Sequence, residues 1–156
     1  MSEKYNLKVH GAGKEVGRSS FVLNVDHEHI LFDYGVKFTP AETEYPAPID
    51  VKLNATVLSH AHFDHSGFIP HLFIDNPNPI FATKPTLELS KMLWGDSLKI
   101  AASEGETPAY SQAHISAAEN HVFSMDYDKH VDMTKNAELE FVYAGHILGS
   151  AMCKVN

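Results

Sequence analysis

The chain contains one cysteine, Cys153, so no internal disulfide can form. With 156 residues it must rely on a buried apolar core, and it is long enough for one domain with one sizeable core. Such sparse cysteine usage makes a cytoplasmic setting the default expectation. No apolar run approaches the ~18 residues of a bilayer-spanning helix. The start, Met1-Ser2-Glu3-Lys4-Tyr5, is polar and has no apolar signal segment, so no membrane attachment is expected. Positive charge is also scarce: 12 Lys and Arg face 20 Asp and Glu, a net charge of -8 with His neutral. That balance argues against broad electrostatic attraction to nucleic acid, leaving a local groove or a basic partner segment as the routes to it. No internal repeat or low-complexity segment interrupts the chain.

Histidine, by contrast, is plentiful, and four metal-capable side chains fall in the run His60-Ala61-His62-Phe63-Asp64-His65. The run follows Ala55-Thr56-Val57-Leu58, an apolar stretch that reads as a buried strand. Neutral imidazoles and a carboxylate suit a borderline-soft divalent ion such as zinc. Alternation along an extended segment projects His60, His62 and Asp64 in roughly one direction, and a turn at Asp64-His65 brings the last imidazole near. This spacing can feed two adjacent ions. His10, His27, His29, His114, His121 and His130 fall on hairpins, polar helix faces or loops, where surface or hydrogen-bonding roles are expected. His71 is close enough to support the cluster from behind, but a structural role is the stronger expectation.

Around this cluster the chain predicts more strands than helices. Lys4–His10, Phe21–Val25, His29–Phe32, Asn54–Ser59 and Ile80–Ala82 read as strands, the second and third joined as a hairpin. Leu139, Phe141 and Tyr143 alternate on a strand ending at Gly145-His146, and another begins at Ala151. Thr39–Asp50, with three prolines, reads as a surface loop. Ser66–Phe73 reads as a short helix limited by Pro70, Lys84–Ser103 as a long one with Pro85 at its start, and Ser111–His121 as a third. The long helix is apolar on two sides: Leu87, Trp94, Leu98 and Ala101 on one, Leu89, Leu93 and Ile100 on the other. Such a helix is expected to pack on both. The whole is an α+β arrangement, a mixed sheet with helices packed on one side rather than a regular βαβ array. Gly11-x-Gly13-Lys14 lacks a following Ser or Thr and leads to a strand, so a tight turn beside the site is expected rather than a phosphate cradle.

The pattern His-x-His-x-Asp-His after a strand resembles that of the metallo-β-lactamase superfamily. Asp33, in Ile30-Leu31-Phe32-Asp33-Tyr34-Gly35, resembles its strand-end aspartate, and His146, in Gly145-His146-Ile147-Leu148-Gly149-Ser150-Ala151, its next ligand histidine. Together with Gly13-Lys14-Glu15-Val16-Gly17-Arg18-Ser19-Ser20 these segments look like the β-CASP branch of RNA-processing nucleases. The wording is closest to the archaeal cleavage and polyadenylation factor type, with ribonuclease J as a further relative, and it runs over essentially the entire chain. The resemblance implies an αββα-type fold. It implies one zinc ion on His60, His62 and His146, a second helped by Asp64 and His65, and Asp33 bracing the loop. It also implies cleavage of RNA phosphodiester bonds between two ions.

In that family a later aspartate bridges both ions and a later histidine completes the second site, whereas the sequence ends at Asn156 within an apparent strand. The expectation is therefore an N-terminal portion, residues 1–156, with the β-CASP insert and the C-terminal half absent. It would bind one zinc and turn over weakly or not at all alone. A C-terminal half or a second copy would cover the Lys84–Ser103 helix. Two other readings stand beside this one: a hydrolase of a thioester or lactone on the same fold, and a non-catalytic assembly subunit that needs a partner chain.

Overall fold

A computed structural model of the protein describes residues 5–156; Lys4, the start of the first expected strand, lies outside them. Strands β1 (Tyr5–Gly11), β2 (Ser20–Val25) and β3 (Glu28–Tyr34) form an antiparallel meander. The β2–β3 link is tight because Asp26 and His27 both adopt positive φ, 43° and 73°, as a two-residue primed turn requires. The proline-containing segment Thr39–Asp50, expected to be a surface loop, supplies β5 (Thr43–Glu44), which pairs with β4 (Lys37–Phe38) just ahead of it. Strands β6 (Ala55–Val57), β7 (Ile80–Ala82) and β8 (Val122–Ser124) then add in parallel, giving the order β1-β2-β3-β6-β7-β8. Strand β3 is the switch, antiparallel to β2 and parallel to β6.

Helical segments connect the parallel strands: α1 (Phe63–Ser66) and a 3-10 segment (Ile69–Ile74) between β6 and β7, then α2 (Lys84–Glu104) and α3 (Gln112–Glu119) between β7 and β8. This half of the sheet is thus closer to a βαβ array than expected. The single helix expected over Ser66–Phe73 is instead two pieces. The first starts at Phe63, because the His62 carbonyl accepts the amides of His65 and Ser66 at 2.9 and 2.8 Å. Pro70 sits in the first turn of the second, where its missing amide costs no helical bond. Thr83 caps α2, and Gly105 closes it in the left-handed conformation at φ 71°.

Alternation along the strands separates two cores. Leu31, Leu58 and Ile80 point to the helices and pack with Ile69, Trp94 and Ile115. Trp94 is fully buried and donates its indole N–H to the Ser66 carbonyl at 2.9 Å, tying α2 to α1. Ile30, Val57 and Phe81 point the other way, against a second antiparallel sheet with the order β11-β10-β9. It comprises β9 (His130–Asp132), β10 (Glu138–Tyr143) and β11 (Ala151–Val155). Leu139 and Phe141 enter this core as their alternation predicts; Tyr143, at the strand end, is exposed. The layers are helix, sheet, sheet. Among the described residues no helix is long and apolar enough to cross a membrane. Of the two apolar sides expected on α2, the one carrying Trp94 is inward, while Leu93 and Ile100 are exposed.

Phe141 is fully buried between the sheets, and Met152, on the neighbouring strand, is exposed. Phe141→Ala is expected to cost about 3–5 kcal/mol of unfolding free energy. Met152→Ala is expected to change it by less than about 0.5 kcal/mol. Urea titration checks both.

Candidate metal centre

Side chains gather beyond the carboxyl ends of the parallel strands β3 and β6, the side on which such sheets bind ligands. The end of β3 supplies Asp33, the end of β6 supplies Ser59 to His62, and α1 supplies Asp64 and His65. The backbone makes the approach close. A Cβ on Gly35 would lie 1.8 Å from the Asp64 carbonyl oxygen, so only glycine lets β3 run on beneath α1. Ser19 donates its amide to that same carbonyl at 2.9 Å, which docks the glycine-rich loop against α1. That loop is a tight turn next to the cluster, as expected, with Gly17 at φ 100°.

Asp33 organises the group. It is buried and sits at φ 57°, a left-handed conformation that costs a non-glycine residue about 1–3 kcal/mol. Its carboxylate accepts the Ser59 amide (2.8 Å), the Ser59 hydroxyl (2.7 Å) and Nδ1–H of His65 (2.7 Å). These three bonds offset the backbone cost and settle the imidazole tautomers. The Ser59 hydroxyl has one proton and gives it to Asp33, so Nδ1 of His60, 2.9 Å from that hydroxyl, must be the donor there. The Nε2 lone pair of His60 is left free. His65, with Nδ1–H engaged, likewise keeps Nε2 free.

The free Nε2 of His60 lies 3.2 Å from Nδ1 of His62, which lies 3.2 Å from Nε2 of His146. A tetrahedral ion with bonds of ~2.0–2.1 Å separates its ligand nitrogens by about 3.3–3.4 Å. The three imidazoles therefore fit one divalent ion, with a fourth position toward solvent because His62 and His146 are exposed. Asp33, His60 and His65 form a second close cluster, but there Asp33 is engaged by three donors. That cluster is a brace by its hydrogen bonds. Asp64 belongs to neither group of three; its carboxylate is 3.7 Å from Nε2 of His65. It lies on α1, so the alternation that carries His60 and His62 ends at Phe63. Burial, then the neighbouring imidazoles, push His60 down to about 4. Burial works to lower His65 as well, but the hydrogen bond and charge of Asp33, with Asp64, outweigh it and hold His65 above its ordinary value.

His146 reaches the others from the second sheet, on the β10–β11 loop. Two anchors hold that loop. The Gly149 carbonyl accepts the hydroxyls of Thr83 and Thr86 at 2.7 and 2.9 Å, and the Ala151 amide donates to the Ser59 carbonyl at 2.9 Å. Gly149 is at φ 86°, and a Cβ there would meet the Thr86 amide at 2.6 Å. Ser59, Thr83 and Thr86 are positioning residues that the motif does not reveal. Thr83-x-x-Thr86 at a helix start is legible as a cap, but nothing local tells that it also reaches Gly149. His71 points elsewhere: it stacks on Phe68 (4.2 Å between ring centres) and its Nδ1 lies 2.9 Å from the Ala109 carbonyl.

Known proteins share both sequence and fold. A family model described as a metallo-beta-lactamase superfamily domain matches residues 22–156. The chain is 34% identical to transcription termination factor FttA of Pyrococcus abyssi, over 94% of this chain and 25% of that protein. It is 35% identical to FttA of Methanosarcina mazei, over 91% of this chain and 23% of that one. The chain spans about a quarter of the length of the curated relatives it matches. A protein of unknown function from Enterococcus faecalis superposes with a TM-score of 0.67 at 18% identity, covering 99% of this chain and 41% of that one. An archaeal metallo-beta-lactamase superfamily protein from Sulfolobus tokodaii does so at 0.59 and 16%, covering 97% and 60%. At such identities the two structures speak for the fold alone.

The opposed environments of His60 and His65 are measurable by NMR titration of the chelator-treated protein. His60 is expected to titrate near 4 and His65 above its ordinary 6.5. In Asp33→Asn, burial acts on His65 with only Asp64 left to oppose it, and its midpoint should fall from the wild-type value. The stability contributions have opposite signs. That of His65 is fully present below the unfolded pKa of ~6.5 and is lost as pH rises through its raised folded value. His60 destabilises the fold as pH falls from ~6.5 towards 4, where the unfolded chain takes up a proton that folded His60 refuses. An unchanged His65 midpoint in Asp33→Asn would refute the assigned pairing.

Proposed function

The chain belongs to the metallo-beta-lactamase superfamily, and on that premise we propose that it carries the metal-binding part of a cytoplasmic, RNA-processing hydrolase of the β-CASP branch. His60, His62 and His146 hold one zinc ion; Asp64 and His65 serve a second ion and the catalytic chemistry; Asp33 orients and does not ligate. The observation that carries this reading is the meeting of three imidazole nitrogens from two sheets, spaced 3.2 Å from His60 to His62 and 3.2 Å from His62 to His146.

A zinc ion held by His60, His62 and His146 would supply Lewis acidity toward a phosphoryl oxygen and lower the pKa of water to ~7. The protein's own contribution is orientation. Asp33 and Ser59 hold the His60 ring in the tautomer that leaves Nε2 free, and Asp33 does the same for His65. Such second-layer hydrogen bonds raise ligand basicity and fix ring direction. Access also favours a polymeric substrate. Two of the three ligating imidazoles are exposed, so an extended strand can reach the open position without entering an enclosed pocket. The relatives' name, transcription termination factor, supports RNA over a small thioester or lactone.

Dialysed protein is expected to hold about one tightly bound zinc per chain by plasma mass spectrometry, since only one cluster keeps its lone pairs free. His62→Ala should abolish that zinc, and Asp33→Asn should weaken its affinity about 10–100-fold. A panel of labelled RNA and a thioester, assayed with zinc, tests the substrate. Weak RNA cleavage that is lost in His62→Ala supports the reading. Zinc retained in His62→Ala, or turnover of the thioester and not of RNA, would sink it.

A further inference from the structure

A cleft of about 890 Å³ lies between the second half of α2, the β4–β5 hairpin and residues 105–110. Asp33, His60, His62, Asp64, His65 and His146 do not line it. Its surface is apolar where the walls meet: Phe38, Leu93 and Ile100 are large apolar side chains left exposed, with Leu98 half-buried beside them. Exposed apolar surface of this kind, concave and contiguous, commonly marks a recognition site.

The charge around the cleft has one sign. Glu42, Asp96, Glu104 and Glu106 line it, and no Lys, Arg or His does. Asp96 is paired with Lys99 at 2.8 Å, while Glu42, Glu104 and Glu106 have no ion-pair partner among the described residues. Helix α2 also ends here. Its last turn contains no basic residue, although the negative end of a helix dipole favours one, and Glu104 adds a like charge at that end. An apolar cleft rimmed by unpaired carboxylates and a helix C-terminus repels a phosphate backbone. It also disfavours a second copy of a chain whose net charge is -8. The complementary occupant is cationic and apolar together.

We propose that this cleft docks a basic amphipathic segment of a partner protein, with its apolar side chains on Phe38, Leu93 and Ile100 and its Lys or Arg heads on Glu42, Glu104 and Glu106. An amphipathic helix laid in a groove offers such a surface, with anchors that recur at i, i+3, i+4 and i+7. This surface is separate from the histidine cluster, so its occupation would recruit the centre to a partner without blocking the ligands.

The full chain is titrated into a fluorescein-labelled peptide of about 18 residues with Leu on one face and Lys on the other, and anisotropy is followed at low and high salt. Saturable binding that weakens with salt is expected. Glu104→Lys combined with Glu106→Lys should weaken it at least about tenfold, and Ile100→Ser should weaken it without changing charge. Asp126→Lys combined with Asp132→Lys, matched in net charge and placed off the cleft, should leave it unchanged. Circular dichroism verifies that each variant is folded. Absence of saturable binding, or an equal loss in the charge-matched control, would overturn the proposal. So would displacement of the peptide by an RNA oligonucleotide, or a dimer in sedimentation velocity that the Glu104→Lys, Glu106→Lys variant dissolves.

Discussion

The carboxylate of Asp33 is the constraint from which the centre is built. It joins the end of β3 to the end of β6 through both polar groups of Ser59, and joins β3 to α1 through His65. The strained φ of Asp33 points the carboxylate at all three donors at once. Removing it would free the Ser59 hydroxyl to accept or donate either way, and His60 would lose the reason to keep Nε2 unprotonated. Charged acceptors make stronger hydrogen bonds than neutral ones, so a neutral amide in the same place cannot impose the same tautomers. Orientation of a ligand ring thus depends on a residue that touches no ligand nitrogen of the three-histidine group.

A second dependency links the two sheets. His60 and His62 come from the first sheet and His146 from the second, so the centre exists only while the sheets are packed. The core containing Phe81 and Phe141 supplies that packing, and the anchors on Gly149 and Ala151 set the reach of the loop. Metal binding across that junction would stabilise the packed state over the unfolded one by mass action.

Much of this was legible in the residues, and what was not has physical reasons. The short run from His60 to His65 marks a metal-binding loop because four such donors rarely coincide, and Asp33 and His146 are recognisable by their neighbours. The long helix is readable from Pro85 and its periodic apolar residues. The start of α1 at Phe63 was hidden because a four-residue helix has too little periodicity to register, and its first bonds are made by the His62 carbonyl. The three-residue strands β8 and β9 are likewise too short to alternate visibly. Ser59, Thr83 and Thr86 escaped because their roles lie in contacts far along the chain, 63 residues apart for Thr86 and Gly149.

The three imidazoles, drawn from two sheets, stand or fall as one metal site. Zinc-edge X-ray absorption on the zinc-loaded protein tests it most directly. Three imidazole nitrogens at ~2.0–2.1 Å with an oxygen completing the shell are expected, falling to two imidazoles in His146→Ala. A shell unchanged by His146→Ala, or one containing the sulfur of Cys153, would contradict this.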